Sequence, residues 1–169
     1  MTIAYLGLGA NIGDAQQTLR DAIVCLAQRA HIKVLKKSSI YQSQPIEASG
    51  PDFFNAVVCI DTALTAQALH AVCMNIETLF GRERSYRNAP RTLDIDLLLY
   101  GDCRLATAAL HIPHPRMSQR AFVLLPLAEI APHIIIPGLG KVEEILPQVA
   151  KQCIEKLLSP SCGTCVCRR

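Results

Sequence analysis

Phe53-Phe54-Asn55-Ala56-Val57-Val58-Cys59-Ile60 concentrates aromatic and β-branched residues in one short run, the composition of a central β-strand. Working outward from it, Ile32 to Tyr41 alternates apolar with basic or hydroxyl residues and reads as a half-exposed strand. Between the two, Gln44-Pro45 and Ser49-Gly50-Pro51 break the chain. The resulting loop of about ten residues exceeds the usual 4 to 6, which favours a functional role. At the start, Ile3 to Leu8 reads as a buried strand entering a glycine turn. From the N-cap Asp14, apolar residues at Leu19, Ala22, Ile23, Leu26, Ala27 and Ala30 form one face of a helix. Gly7-x-Gly9-x-x-x-Gly13 misses the dinucleotide fingerprint by one position and reads as a packing turn.

Downstream, Leu69, Val72, Cys73, Ile76 and Leu79 mark a second helix that stops at Gly81. Leu93 to Tyr100 is a third strand. Ile112-Pro113-His114-Pro115 is an extended turn, followed by a short helix around Arg120 to Leu127 and a short strand at Ile134-Ile135-Ile136. Val142, Ile145, Leu146, Val149, Ala150, Cys153 and Leu157 predict a last helix. Some connections are too short for a parallel crossover. The expected fold is therefore α+β, a ferredoxin-like-type sandwich whose mainly antiparallel central sheet is covered by helices. Residues 1–158 should form one domain and residues 159–169 a flexible Cys-rich tail.

Half of the 169 residues are apolar, enough to bury one core without staples. No run of about 18 uncharged apolar residues exists, and Met1 to Tyr5 lacks a basic leader, so neither a membrane span nor export is expected. Cys25, Cys59 and Cys73 fall inside apolar periodic segments, so the eight cysteines read as reduced, cytoplasmic thiols rather than a disulfide framework. In the tail, Cys162, Cys165 and Cys167 lack the four-ligand spacing of a zinc site. A net charge of +3 is too mild to argue for a long polyanion.

The charges are nevertheless unevenly placed. Asp94 and Asp96 stand two apart on a strand, so both side chains leave the same face, roughly 7 Å apart along it. Leu93, Ile95 and Leu97 occupy the opposite face, which sets the acidic pair at the polar end of a buried strand rather than on a solvated one. Two like charges there lose stability unless a cation lies between them, and paired carboxylates suit magnesium. Arg82, Arg84, Arg87 and Arg91 precede the pair, and every cation between Gly81 and Tyr100 is arginine. A solvated basic loop would carry lysines as readily; the guanidinium fork fits phosphate oxygens. Arginines beside a carboxylate pair are what a metal-polyphosphate site requires.

Six strings now stand in order: Tyr5-Leu6-Gly7-Leu8-Gly9-Ala10-Asn11-Ile12-Gly13, Ser39-Ile40-Tyr41, Pro51-Asp52-Phe53-Phe54-Asn55-Ala56, Gly81-Arg82-x-Arg84, Pro90-Arg91-Thr92-Leu93-Asp94-Ile95-Asp96 and Ile112-Pro113-His114-Pro115-Arg116-Met117-x-x-Arg120-Ala121-Phe122. Over about residues 1–137 their order and spacing resemble 6-hydroxymethyl-7,8-dihydropterin pyrophosphokinase, an enzyme of folate biosynthesis. The resemblance implies that Asp94 and Asp96 hold two magnesium ions bridging the ATP phosphates and the pterin hydroxymethyl group. It implies that Arg82 and Arg91 assist the transfer and that Arg84, Arg87 and Arg120 contact or close over phosphates. Glu77 and His114 would belong to the nucleotide pocket, although Glu77 reads equally as an exposed helix residue. Phe53 and Phe122 would sandwich the pterin, Asn55 would read its amide edge, and Ser43, Gln44 and Ile46 would add contacts. Ordinary core is the alternative for the two phenylalanines. Where some members carry a tryptophan over the site, this chain has Asn88.

The implied partners are ATP and a reduced pterin, with no nucleic acid or membrane, and the implied state is a cytoplasmic monomer. Paired aspartates on an antiparallel sheet also serve nucleotidyl transfer, the rival chemistry. A nucleic-acid-binding module would want aromatics interleaved with basic residues, and no such string occurs among the four Tyr and four Phe.

Overall fold

The computed structural model describes residues 1–45, 50–81 and 92–158. Its frame is a six-stranded sheet in which every pairing is antiparallel. Strand β4 (Phe53–Thr62) lies at the centre, and β1 (Thr2–Ala10) runs between it and the edge strand β5 (Asp94–Tyr100). The far side of β4 is shared by β2 (Ile32–Lys37), which pairs with its C-terminal half, and β3 (Tyr41–Ser43), which pairs with its N-terminal end. Ser38 makes the break between them: its Oγ accepts from the Val57 N–H and its own N–H donates to the Val57 carbonyl, both at 2.9 Å. The single strand expected over Ile32 to Tyr41 is thus two.

Alternation along β4 divides the core. Ala56, Val58 and Ile60 face one side with Leu6 and Leu8, where α1 (Ala15–Ala27) contributes Leu19 and Leu26 and α2 (Ala66–Leu79) contributes Leu69 and Ile76. All four of those helix residues are 0% exposed, so each contributes about 1.5 to 3 kcal/mol through burial. Val57 and Cys59 face the other side, against Val123, Leu124 and Leu127 of α3 (Ala121–Ile130). The Asp14 carboxylate accepts from the Gln17 N–H at 3.1 Å, the N-cap expected from sequence. Smaller pieces follow: β6 (Leu105–Ala106) pairs with β7 (His111–Ile112), β8 (Ile135–Ile136) pairs with β9 (Gly140–Lys141), and α4 (Val142–Ile145) is a single turn.

Two expectations are corrected. The helix predicted from Val142 to Leu157 is one α turn, a 3₁₀ turn over Leu146–Val149 and then strand β10 (Ile154–Lys156). Pro147 lacks the N–H that a continuing helix needs and its ring crowds the preceding turn. The chain beyond it finds better partners at the sheet edge, where β10 pairs with β3 and the Leu157 N–H donates to Ile40 O at 2.8 Å. Val142, Ile145 and Val149 still point into the core, which is why the periodicity looked helical. Secondly, Gly7 and Gly9 are not in a turn: β1 runs straight through them to Ala10.

Among the described residues no helix is long and apolar enough to cross a membrane, and Cys25, Cys59, Cys73, Cys103 and Cys153 are free thiols. The expected loop from Arg82 to Pro90, the candidate residues Ile46, Arg82, Arg84, Arg87 and Arg91, the position Asn88 and the tail from Ser159 lie outside the described residues.

Candidate active site

Register places the candidate residues in rows. Residues directly opposite in an antiparallel sheet share a face. Tyr41 pairs with Asn55, Asn55 with Gly9, and Gly9 with Asp94, so one row crosses β3, β4, β1 and β5. The next row is Val57, Gly7 and Asp96. The expectation that Asp94 and Asp96 share a face is met, and both are half-buried at the polar end of β5. The candidate ring reader and the carboxylate pair therefore stand on the same face, separated only by glycine.

Those glycines are what sequence reading missed. A Cβ on Gly9 would come within 2.9 Å of Asn55 Oδ1, closer than side-chain carbons approach oxygen, and one on Gly7 would meet the Leu98 side chain at 3.3 Å. Glycines two apart within a strand pattern mark a close approach, and that signal was available. Asn55 is 6% exposed, and its Nδ2 donates to Ser43 Oγ at 3.2 Å. This bond fixes which way the amide faces and leaves Oδ1 over Gly9.

Three of the pterin candidates, Ser43, Gln44 and Phe122, meet at one edge. A cleft of about 160 Å³ is lined by Ser43, Gln44 and Pro45 on one wall, Ala121 and Phe122 on another, and Gln152, Cys153 and Ile154 on a third. Phe53 and Asn55 are not in that lining; they reach it through Ser43, which pairs with Phe53 and bonds Asn55. Phe122 is half-buried, and the Arg120 guanidinium carbon lies 5.4 Å from its ring centroid, a cation–π contact.

Glu77 is 2% exposed, which excludes the exposed-helix reading. It approaches from α2, and the Ile95 N–H donates to its Oε1 at 2.7 Å. Because β5 is an edge strand, a neighbour other than a strand must receive this N–H. Glu77 thereby holds the peptide between the two aspartates.

His114 follows a cis Ile112–Pro113 peptide, and its N–H donates to the Leu98 carbonyl at 3.0 Å, two residues beyond Asp96. Its Nδ1 accepts from the Arg116 N–H at 3.2 Å, so the ring proton is on Nε2, which faces Asp96 Oδ2 at 3.8 Å. Burial pushes the imidazole down to about 4, with the Arg120 and Arg116 charges adding and Asp94 opposing. At neutral pH it is a neutral donor at this site rather than a cation.

Could the aspartates hold a metal? Among the described residues no group of three or more His, Cys, Asp or Glu side chains is arranged to do so. Two carboxylates without a protein cage fit magnesium, which keeps open positions for substrate phosphates and water. They would not fit a structural zinc.

The chain matches the family 7,8-dihydro-6-hydroxymethylpterin-pyrophosphokinase (HPPK) over residues 5–132. It is 44% identical over 158 residues to the 2-amino-4-hydroxy-6-hydroxymethyldihydropteridine pyrophosphokinase of Methylorubrum extorquens, covering 93% of this chain and 99% of that one. The Bacillus subtilis protein of the same name is 44% identical over 133 residues, 78% of this chain and 80% of the other. Among solved structures, an HPPK-DHPS in complex with substrates superposes with a TM-score of 0.74 at 14% identity, over 94% of this chain and 47% of that one. The HPPK-DHPS A437G of Plasmodium falciparum gives 0.69 at 15% identity, over 87% and 45%. The chain spans about half the length of those solved chains, and at such identity they speak for the fold, an α+β sandwich on an antiparallel sheet. With the family match spanning residues 5–132 and a relative aligned over nearly its whole length, the chain belongs to the 7,8-dihydro-6-hydroxymethylpterin-pyrophosphokinase family.

Proposed function

We propose that this chain transfers the pyrophosphoryl group of ATP to the hydroxymethyl group of 6-hydroxymethyl-7,8-dihydropterin, releasing AMP, as a step of folate biosynthesis. The observation that supports this reading is the row Asn55, Gly9, Asp94, in which the Asn55 amide and the Asp94–Asp96 carboxylates share one sheet face. The pterin hydroxyl loses its proton to solvent as its oxygen forms a bond to the β-phosphorus of ATP, the bond from that phosphorus to the α-phosphate oxygen breaks, and AMP leaves with the electron pair. Little covalent chemistry falls to the protein, whose task is positioning and charge.

Asp94 and Asp96 would hold magnesium, two ions by resemblance, which when bound neutralises phosphate charge and polarises the attacking hydroxyl. Asn55 Oδ1 accepts from the N–H edge of the pterin, with Phe53 and Phe122 against its faces and Ser43, Gln44 and Ile46 around it. Neutral His114 donates from Nε2 beside the phosphates without adding a charge that would compete for the aspartates. Arg84, Arg87 and Arg120 neutralise phosphate oxygens, and Arg82 and Arg91 assist at the transferring group. In this reading residues 1–158 act as one domain, a monomer in the cytoplasm; light scattering at the mass of a dimer would refute the monomer.

A single assay decides the reaction: ATP with the hydroxymethyl dihydropterin, AMP detected, on the wild type and Asp94→Ala. The expected result is magnesium-dependent AMP release, abolished by EDTA and reduced at least 100-fold in the variant. Pyrophosphate release would establish nucleotidyl transfer instead, and undiminished turnover in Asp94→Ala would remove the pair from the mechanism.

A further inference from the structure

Gln152 lies beyond the stretch of chain that carries the candidate site, yet its amide grips the backbone on both sides of Arg120. The Ala121 N–H donates to Gln152 Oε1 at 2.9 Å, and Gln152 Nε2 donates to the Gln119 carbonyl at 2.7 Å. Ala121 opens α3, and the first N–H groups of a helix have no partner within it. Arg120 stands at the N-cap but supplies no side-chain cap bond. The cap comes instead from 31 residues away in sequence, on the segment that was expected to be helical.

Gln152 is itself held at both ends. Its N–H donates to the Val149 carbonyl at 3.0 Å, and two residues later Ile154 pairs with Ser43. Ser43, Phe122, Gln152 and Ile154 line the same cleft. The segment 152–154 therefore ties the β3 wall, with Ser43 and through it Asn55, to the α3 wall, with Arg120 and Phe122.

We propose that Gln152 is a positioning residue for the transfer reaction: by bracketing Arg120 it fixes the Phe122 ring and the Arg120 guanidinium opposite the β3 wall. A neutral amide suits this task, since one end must accept and the other donate. Alanine supplies neither bond. Glutamate keeps the acceptor for the Ala121 N–H but sets a carboxylate oxygen against the Gln119 carbonyl. The inference rests on the proposed reading of Phe122 and Arg120 as substrate contacts.

The test uses the full chain, with pterin affinity measured by titrating the fluorescence of the pterin itself, alongside steady-state kinetics and thermal melts. Gln152→Ala should raise the pterin Kd and KM about fivefold at a temperature well below its melting point, and Gln152→Glu at least twofold. Added to Phe122→Ala, which removes the ring being positioned, Gln152→Ala should change the pterin Kd less than twofold. A clamp that only stabilises the C-terminal segment would lower the melting temperature and leave these constants alone. Unchanged pterin Kd and KM in Gln152→Ala, or in Gln152→Glu should the alanine variant not fold, overturns the inference. So does a full fivefold effect of Gln152→Ala on top of Phe122→Ala. Wild-type affinity in Phe122→Ala overturns the site reading and this inference together, whereas a Phe122→Ala defect without a Gln152 effect overturns only this one.

Discussion

Gly9→Ala isolates the role of the bare strand between Asn55 and Asp94. The added Cβ would stand 2.9 Å from Asn55 Oδ1, and ordinary contact begins near 3.4 Å, so about 0.5 Å must be found (3.4 − 2.9). No positive φ is involved at Gly9, so alanine meets no backbone strain there and gains about 0.4 to 1 kcal/mol from a less flexible unfolded chain. Against this, crowding in a packed position costs about 1 to 3 kcal/mol, and turning Asn55 away loses its bond to Ser43, about 0.5 to 1.5 kcal/mol. The losses win, by about 0.5 to 4 kcal/mol of stability. Pterin binding should fall about tenfold, equivalent to one hydrogen bond of about 1.4 kcal/mol lost when Oδ1 leaves its direction. Equilibrium denaturation and pterin titration measure the two quantities. The double variant Gly9→Ala/Asn55→Ala supplies the control: with the clashing oxygen removed, it should bind pterin no worse than Asn55→Ala alone. Wild-type pterin affinity in Gly9→Ala, or a tenfold penalty persisting in the double variant, refutes the steric argument.

Two further outcomes follow from carboxylates that accept hydrogen bonds. Glu77→Ala leaves the Ile95 N–H without the acceptor it has at 2.7 Å, and should cost about 1 to 3 kcal/mol in denaturant titration while lowering kcat; Glu77→Gln, which still accepts, should lose less than half as much, and wild-type stability in the alanine variant would count against the bond. Glu129 accepts from Tyr41 Oη at 2.7 Å and from Ser39 N–H and Oγ at 3.1 and 2.8 Å. Burial pushes its carboxyl up, but those bonds and Lys156 outweigh it and hold the group below its ordinary 4.5. A lowered folded value means the ionised form stabilises the fold: because solvent screens this exposed group, the advantage over Glu129→Gln should be at most about 1 kcal/mol at pH 7, shrink below about pH 4.5 and vanish below the folded value. Melts from pH 3 to 7 check this, and a gap that widened towards acid would contradict it.

Legibility in the sequence tracked how local the deciding physics was. The i, i+2 spacing of Asp94 and Asp96 needs only strand periodicity, and the two side chains leave one face as read. Asp14 as N-cap needs only its neighbours. Val142 to Leu157 failed because an apolar repeat is compatible with a helix until a distant edge offers hydrogen bonds, and the partner, β3, lies about a hundred residues away in the chain. Glu77 was undecidable for the same reason: whether a helix carboxylate is solvated or buried depends on where β5 runs beside α2. Gly7 and Gly9 were read for what glycine does in turns, although within a strand its lack of a side chain is the useful property. Gln152 carries no motif, since its importance comes entirely from the backbone it meets.

The place of β1 between β4 and β5 bears on the length of substrate the proposed reaction can accept. Asn55 and Asp94 are two strand spacings apart across β1, about 9.5 Å, a distance set by backbone hydrogen bonds rather than by side-chain rotamers. Under the proposed reaction the sheet is a gauge with two fixed jaws, Asn55 for the reading edge of the ring and Asp94 for the place where its alcohol arrives. Loops can lengthen or shorten around such a gauge without recalibrating it. A slip of one residue in β1 would turn Gly9 to the opposite face and close the jaws with Leu8 or Ala10.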